Sequence, residues 1–97
     1  MDTLAALRRE IDALDDGILD LLARRMDVAR RVAAYKHEAG IPARLADRIE
    51  AVKERNAANA AGRNLDPRYV RTIWAIIIEE TCSFEERLFA ESPAPAS

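Results

Sequence analysis

One run of apolar residues near the start of the chain constrains the fold more than any other feature. These residues recur in alternating steps of three and four, at Leu4, Leu7, Ile11, Leu14, Ile18, Leu21, Val28, Val32 and Tyr35. Such spacing places them on one face of an α-helix. A helix over residues 3–38 would be about 54 Å long, which is too long for a compact domain of 97 residues. It needs a partner helix along its whole length, so the pattern favours an entwined homodimer.

Glycine and proline divide the rest of the chain into two more helices. Gly40-Ile41-Pro42 marks one break, and Asp66-Pro67 begins the last helix, because aspartate is a good N-cap and proline fits the first turn. No strand-like alternation occurs. We therefore predict an all-α domain over residues 1–91, with helices over residues 3–38, 44–61 and 66–90. Residues 92–97, which are serine, proline and alanine only, are predicted to form a disordered tail.

Composition excludes several classes of function. The chain has 15 basic and 17 acidic residues, which argues against nucleic-acid binding through excess positive charge. Cys82 is the only cysteine and His37 the only histidine, so internal disulfides and zinc sites built from several cysteines or histidines are excluded. No apolar run approaches the roughly 20 residues of a membrane span, and the first residues are too polar to begin a signal peptide. We expect a cytoplasmic protein.

Two basic residues on the first helix mark a candidate site. Arg25 occupies a position on the apolar face, where a guanidinium is costly unless a charged partner meets it. Lys36 lies three turns further on, on nearly the same side, with Ala29 between them. Two cations beside a small residue indicate the wall of an anion pocket. The alternative is that both side chains extend to solvent from the edge of the apolar face.

Arg8 lies about 25 Å from Arg25 along the helix axis. From the same chain it cannot reach the small ligand that Arg25 would bind. It could reach that ligand from the second chain of an antiparallel dimer, and otherwise it is a surface residue.

The other two helices also carry polar residues beside apolar ones. Arg44 and Arg48 lie one turn apart beside Leu45 and Ile49 on the second helix, where a solvated helix flank is the alternative explanation for both arginines. Thr81 and Glu85 fall on the apolar line of the third helix. The threonine can bond to its own backbone instead, and Glu85 can lie exposed near the helix end.

Short segments along the chain carry a family resemblance in their order and spacing. They are residues 7–15, 22–26 and 76–80, with Lys36, Pro42, 47–48 and 65–66 between them. Over residues 4–90 the chain resembles the all-helical chorismate mutases of the AroQ class. The resemblance implies an intertwined dimer of three-helix chains with shared active sites. It also implies the Claisen rearrangement of chorismate to prephenate, with no metal, cofactor or enzyme nucleophile.

The resemblance implies a role for each unusual polar residue. Arg25, together with Arg8 of the other chain, resembles the clamps on the two substrate carboxylates. Lys36 resembles the donor to the ether oxygen, Arg48 the arginine of the second helix, and Thr81 a hydroxyl near a carboxylate. Such groups hold a flexible dianion in its reactive shape and stabilise the charge that develops as the C–O bond breaks.

Glu85 stands where the family usually has a glutamine that donates to the ether oxygen. A carboxylate there would repel the developing charge, so Glu85 must carry a proton to donate a hydrogen bond. Alternatively it is ionised, and it then neutralises Lys36 or meets an ammonium group on the substrate.

Leu45 and Ile49 leave the identity of the substrate undecided, because typical members of the family have acidic residues at these positions that receive the C4 hydroxyl of chorismate. Chorismate is the first expectation. The second is 4-amino-4-deoxychorismate, since residues 48–49 and 80–86 resemble mutases of antibiotic pathways. The third is lysis of isochorismate, since residues 24–27 and 41–43 and the apolar residue 49 resemble that branch. A different class, a non-catalytic helical dimer or a ligand-binding regulatory module, is the remaining alternative.

Overall fold

Three α-helices account for nearly all of residues 3–92, the part of the chain that the computed structural model describes. They are α1 (Leu4–Ala39), α2 (Ala46–Ala61) and α3 (Pro67–Glu91). The described residues contain no strand, so the all-α prediction is confirmed, with each helix end within two residues of its predicted position. Within the same residues, no helix is long and apolar enough to cross a membrane. Of the predicted tail, residues 93–97 lie outside the described part.

The ends of α1 have clear local causes. The Thr3 hydroxyl oxygen accepts a hydrogen bond from the Ala6 amide at 3.0 Å and caps the first turn. At the other end Gly40 adopts a left-handed conformation with φ 71°, which glycine takes without steric cost. The chain then turns back, so that the Ile41 amide donates to the Lys36 carbonyl at 2.8 Å. This turn begins the connection to α2, residues 40–45.

The central helix of the fold is α3, which packs against both α1 and α2, whereas in the described residues no Cα atom of α1 lies within 8 Å of one in α2. The buried residues are mostly small: Ala29, Ala33, Ala43, Ala60, Val70, Ile78 and Cys82, with Glu85 as the one charged member. Small side chains let the helices approach closely. The core therefore lies along α3, with the second half of α1 on one side and α2 on the other.

The apolar face of α1 stays exposed in the single chain. Leu4, Leu14 and Leu21 expose 62%, 68% and 62% of their surface. The chain measures 66 × 25 × 15 Å, so the first half of α1 extends well beyond the core. Large exposed apolar faces of this kind mark interaction surfaces.

Candidate active site

A cleft of about 370 Å³ lies where α1, α3 and the start of α2 meet. It gathers all but one of the predicted site residues: Arg25 and Lys36 from α1, Leu45, Arg48 and Ile49 from the beginning of α2, and Thr81 and Glu85 from α3. Three of these carry positive charge and only Glu85 carries an acidic group. The cleft is therefore suited to an anionic ligand.

Arg25 is held in place by Thr81. The Arg25 Nη1 donates to Thr81 Oγ1 at 2.7 Å, and the Thr81 hydroxyl donates its proton to the Ile77 carbonyl at 2.8 Å. The Thr81 hydroxyl therefore bonds its own backbone and also lies in the wall of the cleft, and its place near a substrate carboxylate stays a prediction. A guanidinium has five N–H donors, and the bond to Thr81 occupies one of them.

Lys36 and Glu85 form an ion pair in the wall of the cleft. The Lys36 Nζ lies 3.0 Å from Glu85 Oε1 and donates a second hydrogen bond to the Ala43 carbonyl at 2.9 Å. The two side chains are 16% and 5% exposed. An ammonium group only donates hydrogen bonds, so Glu85 Oε1 is the acceptor in this contact. Glu85 is buried rather than exposed near a helix end, and α3 continues past it to Glu91.

Arg48 lines the cleft and is exposed, and its role in the site stays a prediction. Leu45 and Ile49 present apolar surface beside it. Among the described residues, the part of the cleft formed by α2 contains no carboxylate.

Arg8 does not line the cleft of its own chain and is exposed on α1. Seventeen residues of helix separate it from Arg25, which corresponds to about 25 Å. Its role in a site shared between two chains stays a prediction.

Arg44 forms contacts that the sequence interpretation as a solvated flank missed. Its guanidinium meets Glu79 at 2.7 Å and Glu86 at 3.0 Å, two residues on one face of α3. Hydrogen bonds from Arg44 lower the pKa of Glu79, and the two carboxylates raise the pKa of Arg44. The spacing of Glu79 and Glu86 places them on one face of a helix, but nothing in the sequence indicates which arginine contacts them.

Several further wall residues were not predicted as part of the site, and Ala43 and Cys82 are two of them. Ala43 acts through its backbone carbonyl, which leaves no trace in residue type. Cys82 is buried as expected of a core residue, and desolvation by burial raises the pKa of its thiol.

Comparison with known proteins identifies a similar family and similar relatives. The model of the family described as chorismate mutase type II matches residues 7–86. The chain is 37% identical to the 4-amino-4-deoxychorismate mutase of Streptomyces pristinaespiralis, over 97% of this chain and 73% of that protein. It is also 37% identical to the protein of the same name from Streptomyces venezuelae, over 96% and 90%. The chorismate mutase of Methanocaldococcus jannaschii is 29% identical over 95% and 93%.

Proposed function

The chain belongs to the family of type II chorismate mutases, and we propose that its cleft catalyses the Claisen rearrangement of 4-amino-4-deoxychorismate to 4-amino-4-deoxyprephenate. The family membership makes the chain an isomerase of the chorismate mutase type. In this reaction the C–O bond of the enol ether breaks while a C–C bond forms in the same molecule. Nothing is added or lost, so the enzyme needs only to hold the reactive shape and stabilise charge.

The observation that carries the proposal is the placement of Arg25 and Lys36 in one wall of the cleft, each held by a side chain of α3. Arg25 offers a planar fork of donors that matches a carboxylate two bonds at a time. Lys36 offers a fixed positive charge for the ether oxygen, on which negative charge grows in the transition state. Because their partners fix both groups before the substrate binds, little reorganisation is required.

A site of this kind can supply a rate enhancement of the size that enzymes reach. Enzymatic rate gains begin near a millionfold, or about 8 kcal/mol. Holding a flexible substrate in its reactive conformation can supply much of this amount. Removing one preorganised donor to a developing oxyanion typically costs about 3–4 kcal/mol, so Lys36 can supply a large part of the remainder.

The proposed substrate follows from the carboxylates of the cleft and from two relatives. According to the family resemblance, typical members have acidic residues on the second helix that receive the C4 hydroxyl of the substrate. In this chain Leu45 and Ile49 occupy the matching positions. The acidic group lies on α3 instead, as Glu85. A carboxylate that accepts hydrogen bonds suits a substrate with an ammonium group. Two relatives at 37% identity carry the name of the 4-amino mutase, which supports the same choice.

Chorismate is the second candidate. The relative from Methanocaldococcus jannaschii is named chorismate mutase and matches over nearly its whole length. The two substrates share the two carboxylates and the ether oxygen that Arg25 and Lys36 would contact, so the same cleft can accept either.

We further propose that the active unit is a homodimer in which Arg8 of one chain completes the cleft of the other. The exposed apolar face of α1 supports this proposal, because it needs a partner along its length. Arg8 lies next to Leu7 on this helix, so it would border the contact between two antiparallel copies. It would then supply the second clamp, for the carboxylate that Arg25 does not hold.

The test is product identification. Purified protein is incubated separately with 4-amino-4-deoxychorismate, chorismate and isochorismate, and the products are separated by chromatography and identified by NMR, because a rearranged product has the same mass as its substrate. We expect the rearranged product from the first, with a higher kcat/KM than for chorismate. A higher kcat/KM for chorismate would make the second candidate correct, and pyruvate release from isochorismate would indicate a lyase. No turnover of any of the three would leave a non-catalytic binding module.

A further inference from the structure

We propose that Arg44, which does not line the cleft, is a positioning residue for Lys36: it fastens the 40–45 connection to α3 and so holds the Ala43 carbonyl that fixes the Lys36 ammonium. The proposal rests on the proposed function for the kinetic role of Lys36. Its structural part, the fastening of the connection, stands on contacts within the chain.

The 40–45 connection is folded around Lys36. The Lys36 backbone carbonyl accepts from the Ile41 amide at 2.8 Å, and its side chain donates to the Ala43 carbonyl at 2.9 Å. Ala43 is buried. Lys36 has three N–H donors, and the bonds to Ala43 and Glu85 direct two of them. Movement of the connection would therefore change where the third donor points.

Arg44 is the residue that ties this connection to α3. Its Nη1 and Nη2 donate to the two carboxylate oxygens of Glu79 at 2.7 and 3.0 Å. On the other side, its Nε and Nη2 donate to the two oxygens of Glu86 at 3.0 and 3.1 Å. Both edges of the guanidinium are thus paired with a carboxylate, an arrangement that lysine cannot reproduce.

Next to Arg44, the start of α2 lacks a side-chain cap. Leu45 is the N-cap of α2 and makes no side-chain capping bond, so the first turn of α2 is not fixed by its own cap. Arg44 precedes it directly, and Ala43 comes just before. The clasp of Arg44, Glu79 and Glu86 is therefore placed where it sets the position of the Ala43 carbonyl.

The chain offers a matched control in Arg71. This arginine also joins two carboxylates, Glu50 at 2.9 Å and Glu54, and its side chain is 39% exposed, the same as that of Arg44. It links α2 to α3 away from the cleft. Arg44→Gln and Arg71→Gln each remove an arginine that bonds two carboxylates at the surface. If Arg44 had only a structural role, the two substitutions would have similar effects on kcat.

Kinetics with the preferred substrate give the first test. We expect Arg44→Gln to lower kcat about tenfold with a smaller change in KM, because a small displacement of a catalytic group acts on the transition state. Arg71→Gln should keep kcat near the wild-type value. In a Lys36→Ala background, Arg44→Gln should have almost no further effect on kcat, since coupled residues are not additive. Equal kcat for the two glutamine variants, or additive effects in the double variant, would overturn the proposal.

Amide hydrogen exchange gives a second test that does not depend on turnover. Arg44→Gln should accelerate exchange at the amides of residues 41 and 43–45, whereas Arg71→Gln should leave them unchanged. If the wild-type protein turns over no substrate, the proposed function fails while this result still decides whether the clasp holds the connection. Unchanged exchange in a folded Arg44→Gln protein would refute the clasp, whatever the activity.

Discussion

Arg25 and Lys36 are eleven residues apart on α1, and each is held by α3, by Thr81 and Glu85 respectively. A cation on an apolar helix face predicted a partner, because an unpaired buried charge is costly. The family resemblance offered the Lys36–Glu85 pair as one alternative, but the helix pattern by itself does not predict the pairing. It depends on how α1 crosses α3, which brings together residues about fifty positions apart in sequence. Residue type thus indicates where the site lies, and packing decides which groups meet.

Arg25→Lys tests the carboxylate clamp at the residue scale. Lysine keeps the charge but loses the fork of donors. We expect kcat/KM to fall at least about a hundredfold, which corresponds to about 2.7 kcal/mol of transition-state stabilisation. Near-normal kinetics in Arg25→Lys would contradict the carboxylate clamp and favour the alternative in which Arg25 only extends to solvent.

Glu85→Gln tests whether the acidic group of the cleft selects the substrate. The amide has the same shape but no charge, so an ammonium substrate loses a charge-assisted bond of about 1.5–3 kcal/mol. We expect the ratio of kcat/KM for 4-amino-4-deoxychorismate to that for chorismate to fall at least about tenfold. Steady-state assays with both substrates measure it. An unchanged ratio would show that Glu85 does not face the C4 substituent.

Cys82 makes stability depend on pH at the alkaline side. Burial raises its pKa above the ordinary value of 9.0, so the folded chain keeps the proton where the unfolded chain releases it. This contribution is fully present below pH 9.0 and is lost as the pH rises through the raised pKa. Thermal unfolding between about pH 8 and pH 10 should show a steeper decline in Tm for wild type than for Cys82→Ala. Parallel declines would contradict a buried, neutral thiol.

At the scale of elements, periodicity and caps account for most of what could be predicted. The spacing of apolar residues and the breaks at Gly40 and Asp66 predicted all three helices, because these signals act within a few residues of chain. The 40–45 connection was beyond such reasoning. Its contribution to the site is a backbone carbonyl and an exposed arginine, and both depend on where the chain lies against α3.

Gly40→Ala tests the turn that begins this connection. Gly40 has φ 71° and open space around it, so an added methyl group is disfavoured by backbone conformation rather than by a clash. We expect a loss of about 1–2 kcal/mol in the free energy of unfolding. Gly62 ends α2 at φ −71°, also in open space, so Gly62→Ala is the matched control and should cost little or nothing. Equal losses in urea unfolding would contradict this account.

At the scale of the whole molecule, the long exposed face of α1 and the isolated Arg8 have one common explanation. A second chain packed along α1 would cover the apolar face and bring Arg8 to the other cleft. Sedimentation should then give twice the chain mass of 10.8 kDa. A folded, active monomer would contradict this explanation of the exposed α1 face and of Arg8.

Complementation between inactive variants tests the shared site most directly. Arg8→Ala and Arg25→Ala are each expected to be nearly inactive, because each damages both sites of its own dimer. In a mixed dimer, the chain with Arg8→Ala keeps its own Arg25 and receives an intact Arg8 from the other chain, so one site is complete. After unfolding and refolding together, we predict recovery of about a quarter of wild-type activity, since half the dimers are mixed and each has one intact site. Activity no higher than that of the parents, in a sample where native mass measurement shows the mixed dimer, would contradict the account.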